Sequence, residues 1–339
     1  MNAGAGTRGL VALTGATGFL GSHIADLLLA RGHAVRAAVR PTSDRRWLDP
    51  RVATVTAVLA PPRGLPDDAD TAGLDELVRG ADAVLHCAGV VRSPDEDGYR
   101  RGNVLSTRRL LEAAARSGTV RSFVLVSSLA ASGPAGPERP RRESDPCAPI
   151  TGYGRSKLAA EQQLAGDWPL RTCALRPPAL YGPRDRAFLE LFRAAKHGWT
   201  AQLGNVRALS LLDGRDAAAA AVLLLEDERA RGPWFVEDGA VHDTAALAAA
   251  LGAAWGRRVR CTHLPVGALR LAAKLAGRER AERLPLLAAD RLRDAAAPGW
   301  VCDGSRLRDE LGFGGARDLA RGFAETLEFY RREGWLRAP

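Results

Sequence analysis

The run LVALTGATGFLGSHIADLLLARG, residues 10 to 32, constrains the fold more tightly than any other part of the chain. LVALT is an apolar strand candidate, and Ile24, Ala25, Leu27 and Leu28 follow with a helical apolar pattern. Gly15, Gly18 and Gly21 punctuate the turn between them. The first glycine permits a tight bend, the second lets backbone approach a pyrophosphate, and the helix start offers aligned N–H groups to negative charge. Glycine spacing alone means little; its place between a strand and a helix is the context that a dinucleotide-binding turn requires. Gly15, Thr17, Gly18, Phe19, Leu20 and Gly21 are therefore the first candidate cofactor contacts.

Further strand candidates follow at VRAAV (35–39), ATVTAVL (53–59), AVLHCA (83–88), SFVLVS (122–127), RTCAL (171–175) and WFVE (234–237), with helical patterns between several of them. Near-continuous apolar strands alternating with helices indicate an α/β fold with a parallel sheet covered on both faces. The expectation is a Rossmann-type doubly wound parallel sheet with a smaller, mostly helical C-terminal substrate lobe. Residues 1–175 would form the nucleotide-binding domain, completed by about 205–240, and 176–204 with 241–339 the lobe. Two long loops, LAPPRGLPDDADTAG and ASGPAGPERPRRESDPCAPITG, stand out as candidates for function.

Composition narrows the class further. The 339 residues can bury a sizeable core, and the five cysteines are scattered without a close pair, which suits a reducing cytoplasm and no zinc site. The net charge of +9 comes from arginines spread along the chain, without the basic tail or interleaved aromatics of a nucleic-acid binder. Apolar runs such as AAAAAVLLL fall far short of the roughly 20 residues that a membrane helix needs. The basic, apolar segment LPVGALRLAAKLAG (264–277) leaves room for no more than a weak peripheral membrane contact.

The second strand carries cofactor information. An acid commonly follows the glycine turn by about 20 residues in NAD sites, whereas VRAAVRPTSDRR runs into Arg40. Arginine grips a 2′-phosphate through its planar donor fork, so this pattern favours NADP over NAD, with Arg40 as the chief contact.

Tyr153 and Lys157 in TGYGRSKLAAEQQL lie at i and i+4 and share one helix face. A free tyrosine titrates near 10, too high for efficient proton exchange at neutral pH, and a neighbouring positive charge lowers that value. In VLVSSLAASG, Ser127 and Ser128 end a strand, where a hydroxyl can donate to a carbonyl oxygen as negative charge develops. Ser128, Tyr153 and Lys157 are the candidate catalytic set.

With these motifs in place, the chain resembles the extended (atypical) short-chain dehydrogenase/reductase superfamily of the epimerase/dehydratase-like kind. TGATGFLG, HCAG (86–89), YGRSK and LRPPALYGPRD (175–185) carry the likeness, which covers nearly the whole chain. It implies that Cys87, Ala88, Gly89, Ser127 and Pro177 border the cofactor, and that Asn103 stands beside the active site, although a helix-start cap explains that asparagine equally well. Val91, Arg92, Leu129, Tyr181 and Arg184 are the implied substrate contacts, and a homodimer the implied assembly. VRAAVRPTSDRR is most like dihydroflavonol reductases, 3β-hydroxysteroid dehydrogenase-like proteins and hopanoid-associated bacterial members. Departures include a missing acid after the third strand, Asp213 and Asp216 in an altered late-helix segment, and Ser132 where an aromatic is usual.

The reaction expected is hydride transfer between a secondary alcohol and a ketone on a lipophilic small molecule, without metal. A sugar-nucleotide epimerase or dehydratase is the main alternative, in which Arg92, Arg184 and Arg207 would meet a diphosphate. A non-catalytic nicotinamide-sensing protein is the third.

Overall fold

The computed structural model of the chain describes residues 8–69, 72–204, 206, 208–276 and 289–337. Arg207, Gly277 at the end of the apolar segment, and residues 70 and 71 of the first long loop lie outside the described residues. Seven strands form one sheet: β1 (Leu10–Thr14), β2 (Ala34–Val39), β3 (Ala53–Thr56), β4 (Ala83–His86), β5 (Ser122–Val126), β6 (Arg171–Arg176) and, from later in the chain, Gly232–Phe235, which is β10. Their order is β10-β6-β5-β4-β1-β2-β3, and every pairing is parallel. The chain reverses its direction of travel across the sheet between β1 and β4, the crevice where open α/β sheets take their ligands.

Both faces of the sheet are buried, which is why β5 reads SFVLV with no polar alternation beyond its first residue. On one face α1 (Phe19–Ala30) packs with α8 (Gly214–Glu226), whose alanine-rich run sits close against Leu13, Val124 and Leu175 of the core. The other face is covered by α2 (Leu74–Val78), α4 (Ser106–Ser117) and α6 (Gly152–Gln163), with Leu77, Leu111, Phe123 and Ala160 at its centre. Short helices α3 (Glu96–Tyr99) and α5 (Leu129–Ser132) lie beside the sheet's carboxyl ends.

Beyond β6 the chain builds a smaller lobe from α7 (Leu189–Lys196), α9 (Thr244–Trp255), α10 (Val266–Ala276), α11 (Ala289–Ala296) and α13 (Leu319–Arg332), while α12 (Ser305–Leu311) returns to the main sheet and buries Leu307 and Leu311 in its core. Tyr181, Phe192, Trp255, Phe323 and Tyr330 form its separate aromatic core. The lobe is mostly helical as expected, and it also contains two parallel strand pairs that periodicity did not reveal. β7 (Ala179–Tyr181) pairs with β9 (Leu211–Asp213), and β8 (Trp199–Leu203) with β11 (Arg260–Leu264). The second long loop is not free-standing: Ala135 and Arg141 make backbone bonds with residues 299–303, tying the loop to the lobe's return segment. Asp213 caps α8 and Asp216 accepts the Arg317 N–H at 2.8 Å, so both acids of the altered segment serve structural hydrogen bonds. Among the described residues, no helix is long and apolar enough to cross a membrane.

Candidate active site

The glycine turn is closed to side chains. Gly15 has φ +76°, a left-handed conformation, and a Cβ there would stand 2.7 Å from the Ala88 N–H nitrogen. A Cβ on Gly21 would collide with the Gly15 carbonyl oxygen. Gly18 caps α1 with no side-chain bond, and the first turn of that helix holds no acid, so its N–H groups remain available to an anion. This cradle fits the diphosphate of a nicotinamide dinucleotide. Thr17, Phe19 and Leu20 complete the turn as read from the sequence.

The end of β4 lies beside it. Thr14 Oγ1 accepts from the Ala88 N–H at 3.1 Å and contacts His86 Nδ1 at 2.6 Å, bracing Cys87, Ala88 and Gly89 against the turn. His86 is fully buried, and desolvation first, then the charge of Lys157, pushes its pKa down to about 3, so it has no acid/base role near neutrality. His23 is pushed down to about 4, chiefly by burial, and contacts the Pro183 carbonyl at 2.9 Å.

Ser128 follows β5 and Tyr153 opens α6, whose N-cap Thr151 accepts from the Gly154 N–H at 3.0 Å. Burial pushes the Tyr153 phenol up to about 12, opposed by a hydrogen bond with the Ser128 side chain. Lys157 is buried one helical turn away, and desolvation pulls its ammonium down to about 8, with the Cys87 and Glu161 charges acting the other way. Its Nζ donates to the Val126 carbonyl at 2.8 Å. The sequence expectation that Lys157 lowers the tyrosine pKa is not met in the protein alone. Burial is the largest influence on the phenol, and the ammonium is turned towards the strand.

Asn103 is brought to this group. It sits in a π-helical turn, Arg100–Leu105, rather than at a helix start, so the capping alternative falls away. Its Oδ1 accepts from the Val90 N–H at 2.7 Å, while Nδ2 donates to the Val90 carbonyl at 2.9 Å and to Ser156 Oγ at 2.8 Å. A Cβ on Gly89 would stand 2.9 Å from Asn103 Oδ1 and 3.0 Å from Lys157 Nζ, so this glycine lets the β4 loop pass over both.

Other sequence candidates are dispersed. Pro177 is buried and accepts from the Leu129 N–H at 2.9 Å, fixing the two segments together. Leu129 packs with Phe235, Cys302 and Trp300. Val91 is 67% exposed, and Arg92 is exposed beside it. Tyr181 is not at an open surface: it is fully buried, edge-on to Phe323 at 4.9 Å between ring centroids. Arg184, at φ +74°, pairs with Asp26 at 2.8 Å and lines a cavity of about 320 Å³ with Thr17, Phe19, Asp44 and Trp47. Sequence reasoning missed Glu161 and Arg176, a buried ion pair behind Lys157, and Asp290, which accepts from the Gly152 N–H at 3.2 Å. Glu161 was findable, since it continues the four-residue stride of Tyr153 and Lys157; nothing in the chain near Asp290 announced its contact. Among the described residues, no group of His, Cys, Asp or Glu could hold a metal ion.

A parallel sheet with a closed glycine turn at its switch point, and a Ser-Tyr-Lys group at the adjoining strand end, defines an NAD(P)-binding Rossmann-fold enzyme of the extended short-chain type. The model of the NAD dependent epimerase/dehydratase family matches residues 11–234, and the chain belongs to that family. Its chemistry is that of the NAD-dependent oxidoreductases and epimerases, in which hydride is transferred. The ceramide reductase of Caulobacter vibrioides is 30% identical over 345 residues, covering 97% of this chain and 96% of that protein. Among solved structures, MoeE5 in complex with UDP-glucose and NAD has a TM-score of 0.72 at 24% identity, covering 96% of this chain and 99% of that one. The UDP-glucose 4-epimerase of Thermus thermophilus in complex with NAD has a TM-score of 0.75 at 22% identity, covering 95% and 99%. At these identities the structural likeness speaks for the fold.

The preference for NADP over NAD is corrected by the same comparisons: the like-folded structures solved with a nicotinamide dinucleotide hold NAD. Arg40 is exposed in a turn closed by mutual bonds with Ser43, and Asp44 lines the cavity beside Thr17 together with Arg46, Arg184 and Arg186. The cation nearest to it is already engaged, with Arg46 Nε bonded to Asp44 at 2.6 Å.

Proposed function

We propose that this enzyme interconverts a secondary alcohol and a ketone on a small molecule, with NAD as the hydride carrier and Tyr153 as the acid/base. The observation that carries the reading is the anchoring of buried Lys157 Nζ to the Val126 carbonyl at 2.8 Å, two residues before Ser128, with Tyr153 one turn back along the same helix. When bound, NAD takes up or returns a hydride at the reacting carbon. Tyr153 exchanges the proton of the substrate hydroxyl, and Ser128 orients and polarises the substrate oxygen. Lys157, anchored to the Val126 carbonyl in the protein alone, is the cation that would meet the cofactor ribose one helical turn from the phenol. Asn103 steadies the β4 loop. The glycine turn, Cys87 to Gly89, Ser127 and Pro177 hold the cofactor, with Arg40 at the adenosine end. The direct test is Tyr153→Phe, which should abolish most turnover with NAD affinity retained; turnover at the wild-type rate across a pH series refutes the reading.

The lobe formed by 176–204 and 241–339 is proposed to select the substrate, with Val91, Arg92 and Leu129 at the entrance. Two substrate classes have support. A nucleotide-linked sugar, with hydride returned in the same cycle, is supported by like-folded structures solved with UDP-sugars along almost their whole length. A lipophilic alcohol or ketone is supported by the ceramide reductase, which aligns along nearly all of both chains, and by the exposed Val91. NADH absorbance separates them. Net oxidation with a long-chain ketone establishes the second, and product formation from a UDP-sugar at constant absorbance the first. A homodimer built through α6 belongs to the same reading, and sedimentation as a single-chain species would refute it.

A further inference from the structure

Glu161 stands four residues beyond Lys157, so Tyr153, Lys157 and Glu161 succeed one another along one face of α6. Its carboxylate accepts from Ser127 Oγ and is held by Arg176, with Nε at 3.0 and 3.1 Å and Nη2 at 2.6 Å. The pair is deeply buried, with side-chain exposures of 4% for Arg176 and 9% for Glu161. Ser127 adjoins Ser128 and donates its N–H to the Leu175 carbonyl at 2.7 Å, directly before Arg176. One carboxylate therefore ties together the ends of β5 and β6 and the helix that carries Tyr153. Arg176 is itself fixed by the Phe235 ring, 5.4 Å from its guanidinium carbon, and by Cys147 Sγ at 3.2 Å. Burying two charges carries a desolvation cost that apolar packing would avoid, so a pair kept at this place invites a role in the site.

We propose that Glu161 and Arg176 are positioning residues, which hold Ser128 within reach of Tyr153 and keep a carboxylate one turn behind the Lys157 ammonium. The proposal rests on the hydride-transfer reading above. The groups around Lys157 are His86 at the end of β4 and Cys87 just after it, Asn103 across Gly89, and Tyr153 and Glu161 from its own helix, with Arg176 behind Glu161. The Cys87 thiol and the Tyr153 phenol are both pushed up to about 12 by burial and stay neutral near pH 7. Glu161 is then the anion of the group. Removing its charge disfavours the ammonium, whereas removing Arg176 leaves the carboxylate unpaired and favours it.

These opposite signs provide the test. The chain's lysines are Lys157, Lys196 and Lys274, so 13C-labelled lysine resolves them by NMR, with Lys157→Met assigning the signal. In the NAD-bound enzyme, Glu161→Gln should move the Lys157 titration to lower pH and Arg176→Met to higher pH. Turnover, measured with whichever substrate class passes the NADH assay, should fall roughly 10- to 100-fold in both, with the NAD Kd within about threefold of wild type. The double variant should be no worse than the weaker single, as expected of residues that act as a unit. Glu161→Asp and Arg176→Lys, which keep the charges, should restore part of the turnover and supply folded protein if the first pair unfolds. Titrations that stay put or move in the same direction, or turnover within twofold of wild type, overturn the positioning role. Loss of turnover in Tyr153→Phe alongside unchanged Glu161 and Arg176 variants overturns this proposal alone, whereas an active Tyr153→Phe overturns the reading beneath it.

Discussion

Nζ of Lys157 donates to the backbone carbonyl of Val126 across 2.8 Å, so the ammonium carried by α6 is anchored to the central strand β5. That anchorage is made in a buried place, and desolvation, its largest influence, brings the lysine pKa from 10.5 to about 8. The unfolded chain therefore binds more protons than the folded one between about pH 8 and 10.5, and stability rises with pH across that window. The full effect of such a shift is on the order of 3 kcal/mol. Tyr153 acts in the opposite sense, since a phenol raised to about 12 makes the folded state lose stability from about pH 10 upward. Urea unfolding of the wild type and Lys157→Met at several pH values should give a difference curve that climbs from pH 8 to 10. A flat difference refutes a charged, buried lysine.

Tyr153→Phe removes only the hydroxyl and leaves the ring that lies 6.5 Å from that of Tyr99. Packing should survive, so the melting temperature should change little. A positioned proton donor contributes about 10²- to 10⁴-fold to turnover. The expected outcome is a loss in that range with NADH affinity, followed by fluorescence titration, close to wild type. Ser128→Ala should follow it with a smaller loss, since the tyrosine remains to exchange the proton.

Much of this arrangement was legible in the chain, for physical reasons. The strands of the main sheet announce themselves because burial on both faces leaves unbroken apolar runs such as SFVLV and AVLH. Tyr153 and Lys157 are readable because helical periodicity makes i and i+4 neighbours. What periodicity cannot show is pairing at a distance. β8 meets β11 across a long sequence gap, and Asp290 reaches back to the N-terminus of α6. The cofactor preference rested on one arginine after the second strand, whereas the cavity beside the glycine turn is lined from distant parts of the chain by Asp44 as well as by Arg46, Arg184 and Arg186. Tyr181 failed through burial, because an aromatic after β6 serves a lobe core as readily as a substrate wall.

The glycine turn should tolerate substitution in a defined order. Gly21→Ala places a methyl against the Gly15 carbonyl, and Gly15→Ala adds a strained φ of +76° to a 2.7 Å approach to Ala88 N. Gly18→Ala meets only the Gly15 carbonyl oxygen, at 3.3 Å, where a shift of a few tenths of an ångström suffices. The first two should lower the melting temperature and abolish detectable NAD binding. Gly18→Ala should fold normally and weaken NAD, because its methyl adds bulk to the turn that would receive the diphosphate. Calorimetric titration with NAD and thermal melting of the three variants check the ranking; equal affinities refute it.

Asn103 supports three hydrogen bonds at once, two to the Val90 backbone and one to Ser156 Oγ, and is itself only 2% exposed. Asn103→Ala leaves the Val90 N–H and carbonyl without these partners, which should destabilise the fold by about 1–3 kcal/mol in urea unfolding. Asn103→Asp is the sharper experiment. A carboxylate can still accept from the Val90 N–H, but it has no amide hydrogens for the Val90 carbonyl, and it adds a negative charge close to Lys157. The Lys157 titration should then move to higher pH, while Asn103→Ala, which adds no charge, should leave it nearer its wild-type position. Turnover should fall in both variants, since the β4 loop that passes over Lys157 loses its brace. If Asn103→Asp leaves the lysine titration unmoved, Asn103 is not close enough to the ammonium to belong to the site, and its role is confined to the π-helical turn.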